Sequence, residues 1–332
     1  MNLKQHSIEK NILSNKIILL SISITIMLVL PTVSNNYIIS LLIEILIFSI
    51  FAMSLDILIG YTGLPSLGHS AFFGLGSYII AFLNSTNAIA LNVSQNILIT
   101  LPIVILATGI MSFVIGIIAI RAKGIYFLMI TLAFAQMLYS ISIRWSSVTG
   151  GSDGITGILR PNLVIGSWML QFDSRISFYY LVVAIFFITI ILLNQIVNSP
   201  FGNTLQGIKS NQQRMLSLGY NVNWYKTASF VISGVVAGIS GMLLAQFYWF
   251  TSPENIYWTM SGQALIMVVL GGNATLIGPI IGATLMRLLP NVTSSITIYW
   301  QSYMGLILIA VVLYARNGIV GTISKIISKN HE

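Results

Sequence analysis

Charges in this sequence stand almost entirely between long apolar runs, and that feature restricts the fold more than any other. A hydrocarbon core about 30 Å thick is crossed by a helix of about 20 apolar residues. Runs of this kind cover Ile17–Leu30, Ile38–Ile59, Ser66–Leu83, Ile97–Ile120, Ile125–Ile143 and Ile176–Val197. Thr227–Phe250, Thr259–Gly271, Thr275–Leu289 and Ser302–Tyr314 follow. Only 7% of the 332 residues are charged, against about 25% in a soluble domain, so the chain cannot solvate a globular surface. The expected fold is an all-α polytopic integral membrane protein with about 8–10 transmembrane helical segments, some glycine-broken or re-entrant. The short pair flanking GGNATLIGP is either two full spans or one re-entrant pair. Broken backbone persists in a bilayer where protein or a water-filled cavity covers it.

Lys4, Lys10 and Lys16 precede the first run, a pattern shared with signal peptides, but PTVSNN follows without a small-x-small cleavage site. An uncleaved first helix behind a cytoplasmic tail, 1–16, is therefore expected. Short cytoplasmic loops are enriched in Lys and Arg. With the N-terminus inside, Arg121, Lys123, Lys209, Arg214, Lys226, Arg316, Lys325 and Lys329 all fall on the cytoplasmic side. Arg144, Arg160 and Arg175 fall outside, partly balanced by Asp153, Asp173 and Glu254. The net charge of +8 is thus mostly topogenic and requires no nucleic acid. A transmembrane domain over 17–315 would carry an outer loop at 144–175 and a cytoplasmic loop at 198–226, with a cytoplasmic tail at 316–332. The second loop, NSPFGNTLQGIKSNQQRMLSLGYNVNWYK, is longer than a connection requires. It is expected to touch a partner.

Several chemistries are disfavoured. The absence of cysteine excludes disulfides, thiolate metal sites and a cysteine nucleophile. The histidines are His6, His69 and His331, two of them in the tails, with no pair at metal-binding spacing. Gly202 to Ser210 imitates a phosphate-binding loop, but Ile208 displaces Lys209 from register and no strand precedes it. The chain is expected to be no enzyme and to hold neither metal nor cofactor. Glu44 and Asp56 share one run, twelve residues apart, about 120° around a helix axis. Burial with a hydrogen bond is the expectation for Glu44, and wetting at the cytoplasmic end for Asp56. Without a basic partner in view they make a poor proton relay. An ionisable residue inside a membrane is nonetheless a functional candidate, and His69 stands between an interhelical hydrogen bond and a place along a pathway. Two G-x-x-x-G matches, Gly234 to Gly238 and Gly278 to Gly282, imply close helix contacts.

Residues 60–76, GYTGLPSLGHSAFFGLG, concentrate helix-breakers in the apolar chain. Followed in order by RAKGIYFLMITLAFAQMLY, TGGSDGI, SLGYNVNWYKTASFVISGVVAGISG and GGNATLIGPIIGA, they resemble successive motifs of the permease subunits of branched-chain amino acid ABC transporters, the LivM-type subunit above all. The resemblance runs from about residue 40 to 315 and rests on five motifs in one order. It implies one half of a heterodimeric pore, paired with a LivH-type permease subunit. Two cytoplasmic ATPase subunits would bind the ATP, and a periplasmic substrate-binding protein would deliver a branched-chain or related hydrophobic amino acid. The protein would lie in the bacterial inner membrane with both termini cytoplasmic, and work by alternating access.

On this resemblance Gly63, Ser66, His69 and Gln136 are candidates for the substrate pathway, with Pro65 setting the break. Gln212, Arg214, Leu218 and Gly219 map to the short helix that docks on an ATPase. Departures are Asn211-Gln212-Gln213 where relatives carry acidic residues, Asp56 where they often have an amide, and Leu64-Pro65 where Gln-Leu is common. Importers of urea or short-chain amides use similar permeases and remain an alternative reading, as does a proton-coupled secondary carrier.

Overall fold

The computed structural model describes residues 34–86, 93–122, 124–166 and 168–294, with isolated positions at 27, 30, 31, 91, 299, 301–303, 305, 306, 309 and 318–322. The expected first span Ile17–Leu30, the last span Ser302–Tyr314 and the two tails fall wholly or mostly outside the described residues. Between them, α1 (Asn36–Asp56) runs into a π-turn (Ile57–Thr62), followed by α2 (His69–Asn84), α3 (Ile97–Ala119) and α4 (Ile125–Arg144). Next come α5 (Arg175–Val197), two short helices α6 (Pro200–Ser210) and α7 (Gln212–Ser217), α8 (Val222–Tyr248), α9 (Trp258–Gly271) and α10 (Ile277–Ser294). Five of these units, Asn36–Thr62, α3, α4, α5 and α8, are long and apolar enough to cross a membrane. The chain is an all-α, multi-pass membrane protein.

Helix ends move from their expected places for local reasons. α8 starts at Val222 rather than Thr227 because the Asn221 side chain accepts the Trp224 N–H, satisfying a free donor of the first turn. Ser174 does the same for α5 through Ser177 N–H, and Asn96 for α3 through Leu98 N–H. α2 begins at His69 rather than Ser66, since Ser66 Oγ takes the Gly68 N–H instead.

α8 is the centre of the bundle, packed against α1, α2 and α3. Small residues allow this. A β-carbon on Gly76 would land on the carbonyl of Gly238, one on Gly241 on the carbonyl of Phe73, and one on Gly234 2.6 Å from Ser112 Cβ. Around these contacts sits an apolar core with Phe48, Phe51, Phe72, Phe73 and Phe230. α9 and α10 pack as an antiparallel pair through Gly271, Gly278 and Gly282, and α10 lies along α1. Coverage is uneven: 72% of the apolar window is buried in both Asn36–Thr62 and α8, against 28% in α3 and 22% in α4. Among the described residues, little covers one broad side of α3 and α4.

The 144–175 and 198–226 segments lie at opposite ends of the bundle. The first holds a hairpin of β2 (Asn162–Ile165) and β3 (Trp168–Gln171), while β1 (Ile155–Thr156) pairs with β4 (Phe250–Thr251) after α8. Arg160 fastens this end: its guanidinium lies 4.6 Å from the Trp249 ring and 5.3 Å from the Phe178 ring, and donates to the Asp173 carbonyl. Burial, then the Arg175 charge, pull this guanidinium below its ordinary pKa, with Asp173 acting the other way.

Filling the backbone contact between α2 and α8 should be costly. Gly241→Val is expected to destabilise the protein by about 1–3 kcal/mol or more, as overpacking does. Gly262→Ala, at a position with nothing within 4 Å of the new β-carbon, should be nearly neutral. Thermal unfolding in detergent compares the two.

Candidate functional site

The glycine-rich break begins where α1 loosens. Over Ile57–Thr62 the helix widens to the π form, with Thr62 Oγ1 donating to the Ile57 carbonyl at 3.0 Å. Gly63 then ends it in the left-handed conformation, φ 74°, its N–H bonded to the Leu58 carbonyl. Leu64 N–H reaches the same carbonyl at 2.8 Å. Pro65 therefore follows a stop made by the π-turn and Gly63. The chain crosses to α2 with its backbone occupied: Ser66 Oγ accepts Gly68 N–H at 3.2 Å, and Ser70 N–H donates to Ser261 Oγ of α9 at 2.7 Å. Gly68 lies against the Thr131 carbonyl of α4. The freed groups face protein, as a bilayer demands.

Ser66 and His69 are fully buried. The His69 ring lies between Phe51, centroids 5.8 Å apart and stacked, and Phe72, 6.0 Å apart and edge-on. Ser54 Oγ–H donates to the Phe51 carbonyl at 2.6 Å, and Ser233 Oγ–H to the Ser54 carbonyl. Both hydroxyl protons are thereby spent. Nε2 of His69 must carry the proton it shares with Ser54 Oγ at 2.8 Å and Ser233 Oγ at 3.2 Å. Nδ1 is left as a buried lone pair with no hydrogen-bond partner among the described residues. One imidazole thus joins α1, α2 and α8.

Asp56 departs from expectation, while Glu44 makes the expected hydrogen bond but is only half-buried. Asp56 is not wetted but fully buried, because the 272–276 loop folds over it. Its Oδ1 accepts Ala274 N–H at 2.8 Å and its Oδ2 accepts Leu276 N–H at 3.4 Å. Glu44 does have a basic partner: Arg287 Nη1 stands 3.8 Å from Oε2, and Tyr248 O–H donates to Oε1 at 2.7 Å. The Arg287 guanidinium rests 3.4 Å above the Phe48 ring. Neither partner was legible locally, since each lies more than two hundred positions away in the chain.

Against the break, at the same end of α1, 198–226 forms a knob. Ser199 caps α6 with Pro200 at its first position, and Asn211 caps α7 by accepting Arg214 N–H at 3.0 Å. Gly202 to Ser210 is helical, so it forms no phosphate-cradling loop. α7 buries none of its residues. It stops at Gly219, φ 86°, with Gly219 N–H on the Leu216 carbonyl and Tyr220 N–H on the Met215 carbonyl. Gln212 Oε1 accepts from Lys226 Nζ at 2.9 Å, tying the knob to α8. Arg214 and Gly219 are exposed, and Leu218 is 66% and Trp224 61% exposed. The result is an apolar tip on a stiff base.

Gln136 lies apart from the break's buried pair, partly exposed on the poorly covered α4. Ser140 follows it and borders a shallow concavity lined by Met137, Ile141, Arg144 and Trp145. On neighbouring α9, Thr259 and Gln263 are exposed as well; the sequence reading missed both. Among the described residues none of these four side chains has a hydrogen bond. An amide turned to lipid without a partner is costly, so this side of α4 and α9 is built to meet water or protein.

The imidazole junction is open to test. His69→Phe and Ser54→Ala should each cost about 1 kcal/mol, the net value of one hydrogen bond. The double variant should cost less than their sum, because both remove the same contact. Thermal unfolding reads this directly, and additive losses would contradict the shared bond.

The family profile described as "Branched-chain amino acid transport system / permease component" matches residues 37–315. The high-affinity branched-chain amino acid transport system permease protein LivM of Escherichia coli (strain K12) is 26% identical over 83% of this chain and 68% of its own length. A tyrosine transport system permease protein of Clostridioides difficile (strain R20291) is 31% identical over 64% of this chain and 66% of its own. The LivH permease protein of Escherichia coli (strain K12) is 26% identical over 54% and 61%. No solved structure matches. These relatives do not favour a urea or amide importer or a proton-coupled carrier. The profile runs through the break, the knob and the α9–α10 pair alike, and the chain belongs to the branched-chain amino acid transport permease family.

Proposed function

We propose that this chain is the transmembrane permease subunit of an ATP-driven importer for branched-chain or related hydrophobic amino acids. One observation carries the reading: a rigid, capped knob with an apolar tip and no buried residue of its own in α7 projects from one end of a membrane bundle of this family. An α7 with no buried residue is what a surface that docks on a partner requires. Gln212, Arg214, Leu218 and Gly219 would dock it on one of two cytoplasmic ATPase subunits, which bind and hydrolyse the ATP. The 198–226 segment and both termini would then be cytoplasmic, and 144–175 would face a substrate-binding protein outside a bacterial inner membrane. The uncovered side of α4 and α9 would be closed by a LivH-type permease subunit. Gln136, joined by Thr259 and Gln263, would line the path between the two, with the break at Gly63, Ser66 and His69 behind it. Movement of the knobs would turn this path alternately outward and inward. Substrate shifts such an equilibrium only through unequal affinity for the two states.

Uptake of labelled leucine by the reconstituted complex, with tyrosine and urea in parallel, tests the substrate class. Leucine or tyrosine uptake that depends on ATP is expected, and uptake of urea alone would overturn the reading. Gly219→Val forces a β-branched residue into a left-handed position, at about 1–2 kcal/mol. It should abolish ATP-driven uptake while membrane insertion is unchanged. Normal uptake and ATPase association in that variant would remove the knob from the mechanism. For the pathway, Gln136→Leu and Gln263→Leu should each slow uptake several-fold without loss of thermal stability. A lipid-facing position would give the opposite result, unchanged uptake with stability raised.

A further inference from the structure

Besides the Gln212–Lys226 bond to α8, the base of the knob is wired into the membrane bundle at Lys209. α6 packs across the π-turn. From it, Lys209 Nζ donates to the Gly60 carbonyl at 2.6 Å, while its methylene stem runs beside Gly63, whose β-carbon would stand 3.0 Å from Lys209 Cγ. Gly60 is itself wedged. A β-carbon there would overlap Asp56 Oδ1 and lie 2.5 Å from Ala274 N. Beyond it, the Asp56 carboxylate holds the N–H groups of Ala274 and Leu276. Ala274 and Leu276 are non-glycine residues with φ 61° and 53°, a conformation that costs L-residues energy unless the surroundings enforce it. Asp56 is what enforces it. Lys209, the π-turn and the 272–276 loop thus form one continuous set of contacts, from a helix outside the bundle to the turn that joins α9 and α10.

We propose that Lys209 is the positioning residue that transmits displacement of the knob into the α9–α10 turn, with the π-turn as the element that moves. A π-turn and an α-turn differ by one residue of hydrogen-bond register, and π segments inside α-helices are uncommon and tend to mark functional places. Here the register is held from outside by the Lys209 bond to the Gly60 carbonyl and from inside by Thr62 on the Ile57 carbonyl. A displacement of α6 pulls on Gly60. Because Gly60 has no side chain to absorb the movement and touches Asp56 and Ala274 directly, the pull reaches the loop. That loop ends α9, the helix bearing Thr259 and Gln263. The role in transport rests on the reading of 198–226 as the ATPase-docking segment; the mechanical link does not.

Two measurements separate the link from that reading. In the purified chain, hydrogen exchange is followed in peptides covering 272–276 and Val222–Tyr248. Lys209→Met should speed exchange in 272–276 by about tenfold, a local opening, leave α8 unchanged, and be rescued by Lys209→Arg. Unchanged protection of 272–276 would overturn the proposal. So would faster exchange throughout α8, which would make Lys209 a folding residue only. In the full complex, Lys209→Met should keep ATPase association and ATP hydrolysis while amino acid carried per ATP falls several-fold, and Lys209→Arg should restore it. Normal uptake per ATP, or lost association, would each overturn the positioning role. Failure of the unaltered chain to associate with any ATPase would instead defeat the importer reading, while the exchange result stands.

Discussion

Lipid tails are as apolar as leucine, so two helices in a bilayer have no hydrophobic reason to prefer one another over lipid. What holds them is close packing, and in this bundle the closeness comes from glycine. Gly76 meets the Gly238 carbonyl and Gly241 meets the Phe73 carbonyl, so at these two points α2 and α8 touch through backbone. The rest follows from that proximity. It brings Ser233 within reach of His69, sets Thr62 beside Ser229 at 3.3 Å, and packs Phe72 edge-on against Phe230. A side chain between the two backbones would separate every one of these pairs.

The same closeness makes the broken segment after α1 affordable. Unwound backbone in a membrane needs partners inside the protein, and residues 57–70 find them in serines and threonines, short side chains that close on neighbouring carbonyls and amides. Thr62, Ser66, Ser70 and Ser261 each take part. Aromatic rings then shut out lipid and water around His69. The break is therefore fully partnered, and α1, α2, α8 and the α6 helix all meet around it.

How much of this was legible in the sequence follows from the range of each signal. Apolar runs and caps are local, so the described helices stand where the pattern placed them, with ends shifted by Ser66, Ser174 and Asn221. A left-handed stop at Gly219 is local as well. The long-range contacts were illegible for the opposite reason. Asp56 pairs with amides at 274 and 276, Glu44 with Arg287, and Lys209 with the Gly60 carbonyl. Nothing in the intervening chain signals these pairings, and two of them use backbone groups that every residue possesses. Lys209 is instructive: the residues around it imitate a nucleotide motif, yet its ammonium group is committed to the fold of the membrane domain. Thr259 and Gln263 went unnoticed because a polar residue in an apolar run is informative only once its neighbours are known.

The tip of the knob has a further consequence. Residues 211–220 carry a single charge, Arg214, and no acid, while Leu216, Leu218 and Tyr220 are exposed. Whatever seats on this surface is held by apolar contact and neutral hydrogen bonds, with at most one ion pair. Screening at physiological ionic strength weakens exposed charge pairs over about 8 Å and leaves such a contact almost untouched. A partner docked at this end of the molecule would therefore bind almost independently of salt.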